Sequence, residues 1–196
     1  NAIYGGRWYL DEASLAELGF IVITIDGRGT AYRNRAFVDA SYGWVPLSNS
    51  PEDRIAGITQ LAERYAYMDI DRVGVIGFDG SVGAVYSLLE HPEFYKVGVS
   101  HALQDSRVMT ATWGEQYEDT EPENHYSYAE KLAGNLRGKL LQTHGLLDRM
   151  DHCAATWRLI DALQQANKDF DMLILPNEGG LESGAHIGSP YIIRRT

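Results

Sequence analysis

The chain of 196 residues is poor in cysteine and in long apolar runs, and each shortage excludes a class of protein. Its single cysteine, Cys153, cannot form an internal disulfide and gives no basis for a thiolate metal site. No run approaches the roughly 18 apolar residues of a membrane-spanning helix, and no basic stretch followed by an apolar one opens the chain. We therefore expect a soluble protein without a membrane segment, in a compartment that the sequence does not identify.

Clustered positive charge is also lacking. The formal net charge is −10 and the isoelectric point is near 5.0, so the chain as a whole repels the phosphate backbone of nucleic acids. No basic stripe offsets this repulsion, and we expect no nucleic-acid partner. No cofactor-binding motif stands out either.

What the sequence does contain is an alternation of strand and helix patterns. Hydrophobic residues make up 44% of the composition, which suits one globular domain over residues 1–196. β-branched runs predict strands at 20–26, 96–100, 139–143 and 170–175, and helical patterns lie at 10–18, 51–62, 84–89 and 154–166. Residues 31–49 predict a loop with one short helical turn. The alternation predicts an α/β fold with a doubly wound, mainly parallel sheet, whose functional residues follow the carboxyl ends of strands.

Residues 72–84 carry the most informative pattern, a strand that breaks into glycines and continues as a helix. This order is that of the Gly-x-Ser-x-Gly nucleophile elbow, in which a tight turn lifts the central serine above the sheet edge. Gly77 supplies the first small residue and Ser81 replaces the second glycine. The central position is Asp79, so the turn is kept and its nucleophile is changed.

Five further strings resemble the α/β-hydrolase domain of the prolyl oligopeptidase and dipeptidyl peptidase IV family. They follow the family's order and cover nearly the whole chain: Tyr4-Gly5-Gly6, residues 25–30, residues 36–40, residues 144–148 and residues 166–177. The resemblance implies an α/β-hydrolase fold and, as the parent activity, hydrolysis of short peptides by a serine nucleophile.

The resemblance also assigns site residues one at a time. Tyr4 matches the tyrosine that stabilises the oxyanion, and the backbone amide of Gly80 would be the second donor. Asp148 matches the acid that orients the catalytic histidine. The alternative for Asp148 is an ordinary loop acid that caps the following helix, a place that Asp151 could take equally well.

The histidine departs from the family pattern. The family has Asn-His-Gly soon after Leu-Pro-Asn, whereas here the most direct match for the histidine is Gly180. Only His186, six residues later, lies within reach. Ser81 is a poor substitute nucleophile, because two residues beyond the elbow centre it would point along the first helical turn.

Two functions remain open from these residues. In the first, Asp79 has abolished catalysis and the domain serves in binding, as in family members that keep the fold without activity. In the second, Asp79 is itself the nucleophile, as in haloalkane dehalogenases and epoxide hydrolases of the same fold, with Asp148 and His186 activating water. A cation held by Asp79, Asp148 and His186 has no support from their spacing, so we expect neither a metal nor a cofactor.

The expected ligand is a short peptide or another small molecule. Trp113 and Tyr117 fall where the family lines its substrate pocket with aromatic side chains, although Trp113 could equally belong to the core. Asp151 stands where the family has a valine facing the same pocket. An apolar, proline-shaped substrate would therefore meet a charge, and the family's substrate preference does not transfer safely.

The chain also differs from the family at its two ends. No propeller precedes the domain, and the family's last helix would follow about where the sequence stops. We expect the chain to be a fragment of something longer, or else a homo-oligomer that covers the apolar surface left by these absences.

Overall fold

The structure, a computed structural model, describes residues 12–30, 32–40, 51–77, 82–103, 129–149, 151–179 and 190–195. Four strands lie in these ranges: β1 (Val73–Gly77), β2 (Tyr95–His101), β3 (Lys139–Gly145) and β4 (Asp171–Leu175). The α-helices of the same ranges are α1 (Glu12–Glu17), α2 (Arg35–Asp39), α3 (Pro51–Arg64), α4 (Val82–Glu90), α5 (Ala129–Leu132), α6 (Ala154–Gln165) and α7 (Pro190–Arg195). A short 3-10 helix, Ala133–Asn135, follows α5.

The four strands form one parallel sheet in the order β1-β2-β3-β4. Parallel neighbours need a crossover between them, and α4 supplies it between β1 and β2, as α6 does between β3 and β4. The register pairs Gly77 with Ser100, His101 with Thr143, and Gly145 with Leu175. All four strands therefore end along one edge, which we call the carboxyl edge.

Helix α4 packs directly on the sheet. A Cβ added at Gly98 of β2 would come within 2.7 Å of Leu88 Cδ2, so the missing side chain is what lets the helix approach. Val85, Leu88 and Leu89 of α4 are fully buried, as are Leu159 and Leu163 of α6. These residues belong to one apolar cluster that holds α4, α5 and α6 on the sheet.

The predicted alternation is confirmed for the elbow strand and the three strands that follow it, and the helical turn predicted within 31–49 is α2. Residues 20–26 differ, because the structure assigns them to neither helix nor strand. Phe20 and Ile21 are 62% and 51% exposed, whereas we expected burial on both faces of the sheet. β-branched composition favours an extended backbone, but a strand also needs a hydrogen-bonded neighbour, which composition does not supply.

No helix in the described ranges is both long enough and apolar enough to cross a bilayer.

Charged residues cluster where α4 ends and β2 begins. Burial raises the pKa of Glu90, the nearby Glu52 raises it further, and His91 acts in the opposite direction. Glu93, on the exposed turn, has the opposite shift: a hydrogen bond from its own backbone amide, and then His91, lower its pKa. The two glutamates therefore contribute to stability with opposite pH dependence.

We predict that Glu90→Gln raises the melting temperature at pH 7 by no more than about 3 °C, because partial exposure screens the effect. A carboxyl group whose pKa is raised by folding binds its proton more tightly in the folded state, so its stability contribution is lost as pH rises through the folded pKa. The gain should vanish near pH 4. Glu93→Gln is the control and should lower or leave unchanged the melting temperature at pH 7. A pH-independent gain for Glu90→Gln would refute the prediction.

Candidate active site

The structure describes only part of the predicted site. Asp148 and Asp151 lie within the described residues. The other predicted site residues, and Gly180 and Ser81 with them, lie outside the described residues: Tyr4, Asp79, Gly80, Trp113, Tyr117 and His186.

Asp148 is 9% exposed and follows the end of β3 by three residues, at the carboxyl edge where the sheet topology predicts functional groups. Its amide donates to the carbonyl of Gly145 at 3.2 Å, which turns the chain sharply after the strand. Its Oδ1 accepts a hydrogen bond from the Asp151 amide at 2.9 Å. A backbone amide therefore holds one oxygen of the Asp148 carboxyl group in place.

The alternative in which Asp148 or Asp151 caps the following helix is wrong. Helix α6 begins at Ala154 and its N-cap residue is Cys153, which gives no side-chain cap. The Ala154 amide donates instead to Nδ1 of His152 at 3.1 Å. The bond that Asp148 accepts comes from Asp151, two residues before the cap, and so it braces the loop.

We call residues 146–149 the acid loop, and this loop is bonded to the chain that follows β4. The Leu146 amide donates to the Leu175 carbonyl at 3.0 Å, and the Leu147 amide to the Glu178 carbonyl at 2.9 Å. A Cβ at Gly145 would lie 2.5 Å from the Glu178 oxygen and 2.8 Å from the Gly179 oxygen. Glycine is therefore required at 145, because two backbone segments meet there.

His144, one residue before that glycine, is fully buried and contacts two groups in the chain that follows the acid loop. Its Nδ1 lies 2.8 Å from Thr156 Oγ1 on α6, and its Nε2 lies 2.8 Å from the backbone oxygen of Asp151. The sequence indicated His144 only as the first letter of a family string. Its burial and its two partners could not be predicted, since histidine is intermediate between residues that are mostly buried and residues that are mostly exposed.

A second buried histidine, His101, ends β2. Its Nδ1 lies 2.7 Å from Thr143 Oγ1, and both side chains are almost completely buried. The next residue, Ala102, has a left-handed φ of 58° and donates its amide to the Thr143 carbonyl at 2.9 Å. Such a φ is uncommon for a residue other than glycine, and residues in sparsely populated backbone regions cluster at functional sites. Nothing in the sequence around His101 indicates this burial or this partner, because Thr143 lies 42 residues away.

Asp151 is 2% exposed, so a second carboxylate is buried three residues after the first. Both of its backbone polar groups are engaged, the amide with Asp148 and the carbonyl with His144. The direction of its carboxylate toward a ligand pocket stays a prediction, because Trp113 and Tyr117 lie outside the described residues.

Within the described ranges, no group of three or more histidine, cysteine, aspartate or glutamate side chains is arranged to hold a metal ion. The described part of the site thus offers a rigid carboxylate beside a sheet edge. A carboxylate so placed can orient an imidazole or receive a hydrogen bond from a ligand, and it cannot form an acyl intermediate without a nucleophile.

Comparison with known proteins identifies the relatives of this arrangement. The sequence profile of the Prolyl oligopeptidase family matches residues 8–187. Human dipeptidyl peptidase 8 is 30% identical over 200 residues, which cover 95% of this chain and 22% of that protein. Dipeptidyl peptidase family member 1 of Caenorhabditis elegans is 34% identical over 162 residues, which cover 80% of this chain and 20% of the relative. The chain therefore spans about a fifth of the length of the curated relatives it matches.

Solved structures agree with the sequence comparison. The crystal structure of Porphyromonas gingivalis dipeptidyl peptidase 4 superposes with a TM-score of 0.79 at 28% identity, over 98% of this chain and 29% of that one. Pyrococcus horikoshii acylaminoacyl peptidase superposes with a TM-score of 0.67 at 18% identity, over 78% and 27% of the two chains, and shows the fold alone. The fold is that of an α/β hydrolase.

We predict that Gly145→Ala lowers the free energy of unfolding by about 1–3 kcal/mol, because the added methyl group would overlap two backbone oxygens that cannot rotate away. Gly134→Ala is the matched control, since a Cβ at Gly134 meets nothing within 4 Å. We expect the control to change stability by less than about 0.5 kcal/mol. Urea unfolding of both variants measures the difference, and equal stability would mean that the Glu178 segment yields to the methyl group.

Proposed function

The chain belongs to the prolyl oligopeptidase family, and we propose that it binds a short peptide or another small molecule without the family's serine-peptidase reaction. The observation that carries the proposal is Asp79 at the centre of the elbow sequence, where the nucleophilic serine belongs. Gly180 at the position of the family histidine supports it. Two of the three groups of a serine triad are changed, and the third, Asp148, is present at the carboxyl edge.

Chemistry favours loss of peptide cleavage over a simple exchange of nucleophile. A carboxylate that attacked a peptide carbonyl would form a mixed anhydride, which is less stable than the amide it replaces. A hydroxyl nucleophile avoids this problem, but it needs an imidazole within hydrogen-bond reach to take its proton. Binding needs neither group. The described acid loop, with Asp148 bonded to the Asp151 amide, can keep its shape without them.

We predict that the purified protein does not react with a fluorophosphonate probe and does not cleave dipeptidyl or ester chromogenic substrates. An active dipeptidyl peptidase labelled in parallel is the positive control. Asp79→Ser is the companion variant, and we expect it to gain little labelling, since a serine without an imidazole is a poor nucleophile. Stoichiometric labelling of the unchanged protein would overturn the proposal. Strong hydrolysis by Asp79→Ser alone would show that His186 reaches the elbow.

Retention of the buried Asp148 favours a second candidate, in which Asp79 is the nucleophile. Its carboxylate would attack a saturated carbon, displace a halide or open an epoxide, and form an ester. Water deprotonated by His186, with Asp148 orienting the imidazole, would then attack the ester carbonyl, release the alcohol and restore the carboxylate. Turnover in ¹⁸O-labelled water followed by mass spectrometry tests this route, because the label must enter Asp79. Turnover without label there would eliminate it.

We also propose that a further segment of a longer polypeptide, or a second copy, covers part of the surface. Leu18, Phe20, Val97 and Leu147 are 75%, 62%, 46% and 59% exposed. Single exposed apolar side chains are common on protein surfaces, so the main support is the length of the relatives. The relatives' much greater length agrees with a further domain. Light scattering over a range of concentrations measures whether copies associate, and a constant monomer mass would exclude the second copy.

A further inference from the structure

The fully buried ring of His144 lies between helix α6 and the segment that carries Asp148. We propose that His144 is a positioning residue for Asp148, acting as a neutral imidazole that holds the Asp151 peptide in the orientation that binds the carboxylate. The inference goes beyond the proposed function, because it concerns how the acid is held whether or not any substrate turns over.

The chemistry of its partners assigns the proton on the His144 ring. The Asp151 backbone oxygen, 2.8 Å from Nε2, can only accept a hydrogen bond, so Nε2 carries a hydrogen and donates. The Thr156 hydroxyl, 2.8 Å from Nδ1, can donate or accept. Because complete burial disfavours the charged ring, Nδ1 is unprotonated and the hydroxyl donates to it. Thr156 thus fixes the tautomer that Asp151 requires.

The same peptide that His144 binds through its carbonyl reaches Asp148 through its amide. The Asp151 amide donates to Asp148 Oδ1 at 2.9 Å, so three hydrogen bonds in series join Thr156 on α6, His144, Asp151 and Asp148. The amides of Leu146 and Leu147 donate to carbonyls on the other side of the loop, at the end of β4 and in the chain after it. His144 therefore supplies the brace on the helix side of the loop.

His101 offers an internal comparison. It is as deeply buried as His144 and pairs with a threonine at a similar distance, 2.7 Å. Its described partner, Thr143, lies on strand β3 before the acid loop begins. A general need for a polar side chain in the core would give both histidines the same role, whereas positioning of Asp148 is specific to His144.

Two substitutions distinguish the hydrogen bond of His144 to Asp151 from its hydrogen bond to Thr156. In His144→Gln the side-chain amide nitrogen stands at the same number of bonds from Cα as Nε2, so it can still donate to Asp151. In His144→Asn the side-chain oxygen stands in the place of Nδ1, so only the Thr156 bond can form. If His144 only fills the core, the Asp151 amide should exchange at similar rates in the two variants. If His144 positions Asp148, the Asp151 amide should exchange faster in His144→Asn than in His144→Gln.

The experiment is native-state amide hydrogen exchange by NMR on the 196-residue chain. We expect the Asp151 amide to exchange about tenfold faster in His144→Asn and within about threefold of the unchanged rate in His144→Gln, as the loss of one buried hydrogen bond implies. The Leu147 amide, which binds Glu178, is the internal reference. His101→Asn is the matched control and should leave the Asp151 rate unchanged.

A second pair of variants, at Thr156, tests the proposal if His144→Asn does not fold. Thr156→Val removes the hydroxyl at nearly constant shape, and Thr156→Ser keeps it. We expect faster Asp151 exchange in the valine variant only, and ¹⁵N shifts of the His144 ring that report the Nε2-protonated tautomer in the unchanged chain. Equal Asp151 rates in each pair, or the Nδ1-protonated tautomer, would overturn the proposal. Because none of these readouts needs turnover, their outcome is independent of whether the protein hydrolyses anything.

Discussion

The backbone oxygen of Asp151 can only accept a hydrogen bond, and most of the described site depends on how this requirement is met inside the protein. A buried carbonyl without a donor costs free energy, so the ring that faces it must present N–H. That requirement sets the tautomer of His144 and makes Thr156 its donor on the other side. The same peptide then turns its amide toward Asp148. The orientation of Asp148 therefore follows from the hydrogen bonds of the Asp151 peptide, and no ligand is needed to impose it.

The second constraint is the parallel register of the sheet. It places the end of β3 beside the end of β4, so the acid loop and the chain after Leu175 leave the sheet side by side. The amides of Leu146 and Leu147 donate to the carbonyls of Leu175 and Glu178. This close approach leaves no room for a side chain at Gly145. In the family the catalytic histidine follows the same segment after β4. Coupling of the two loops through the main chain therefore does not depend on which side chains they carry.

Sequence patterns could predict most of the described strands and helices and one described site residue, Asp148. β-branched runs and helix signals located β1 to β4 and α3, α4 and α6, because burial between helices demands those residue types. Asp148 was assigned through the family resemblance of residues 144–148, and its place after a strand agreed with that assignment. Residues 20–26 were misassigned as a strand because pairing depends on a neighbour that composition does not encode. The hydrogen bonds of His101 and His144 could not be predicted from local sequence, because their partners lie far along the chain. Thr143 is 42 residues from His101, and Thr156 is 12 residues from His144.

The described part of the site is held by buried hydrogen bonds, and we expect substitutions there to be costly. Replacing Asp148, His144 or Thr156 would leave a buried donor or acceptor without its described partner. Such a loss typically costs about 1–3 kcal/mol, whereas the total free energy of unfolding of a domain is about 5–15 kcal/mol. The hydrogen bonds described among β3, the acid loop and α6 join residues of those segments to one another. A domain that no longer needs its nucleophile can therefore lose it without losing its fold, while the acid stays because the core holds it. A buried Asp148 is therefore compatible with an inactive member, and in an active one the same carboxylate would orient the imidazole.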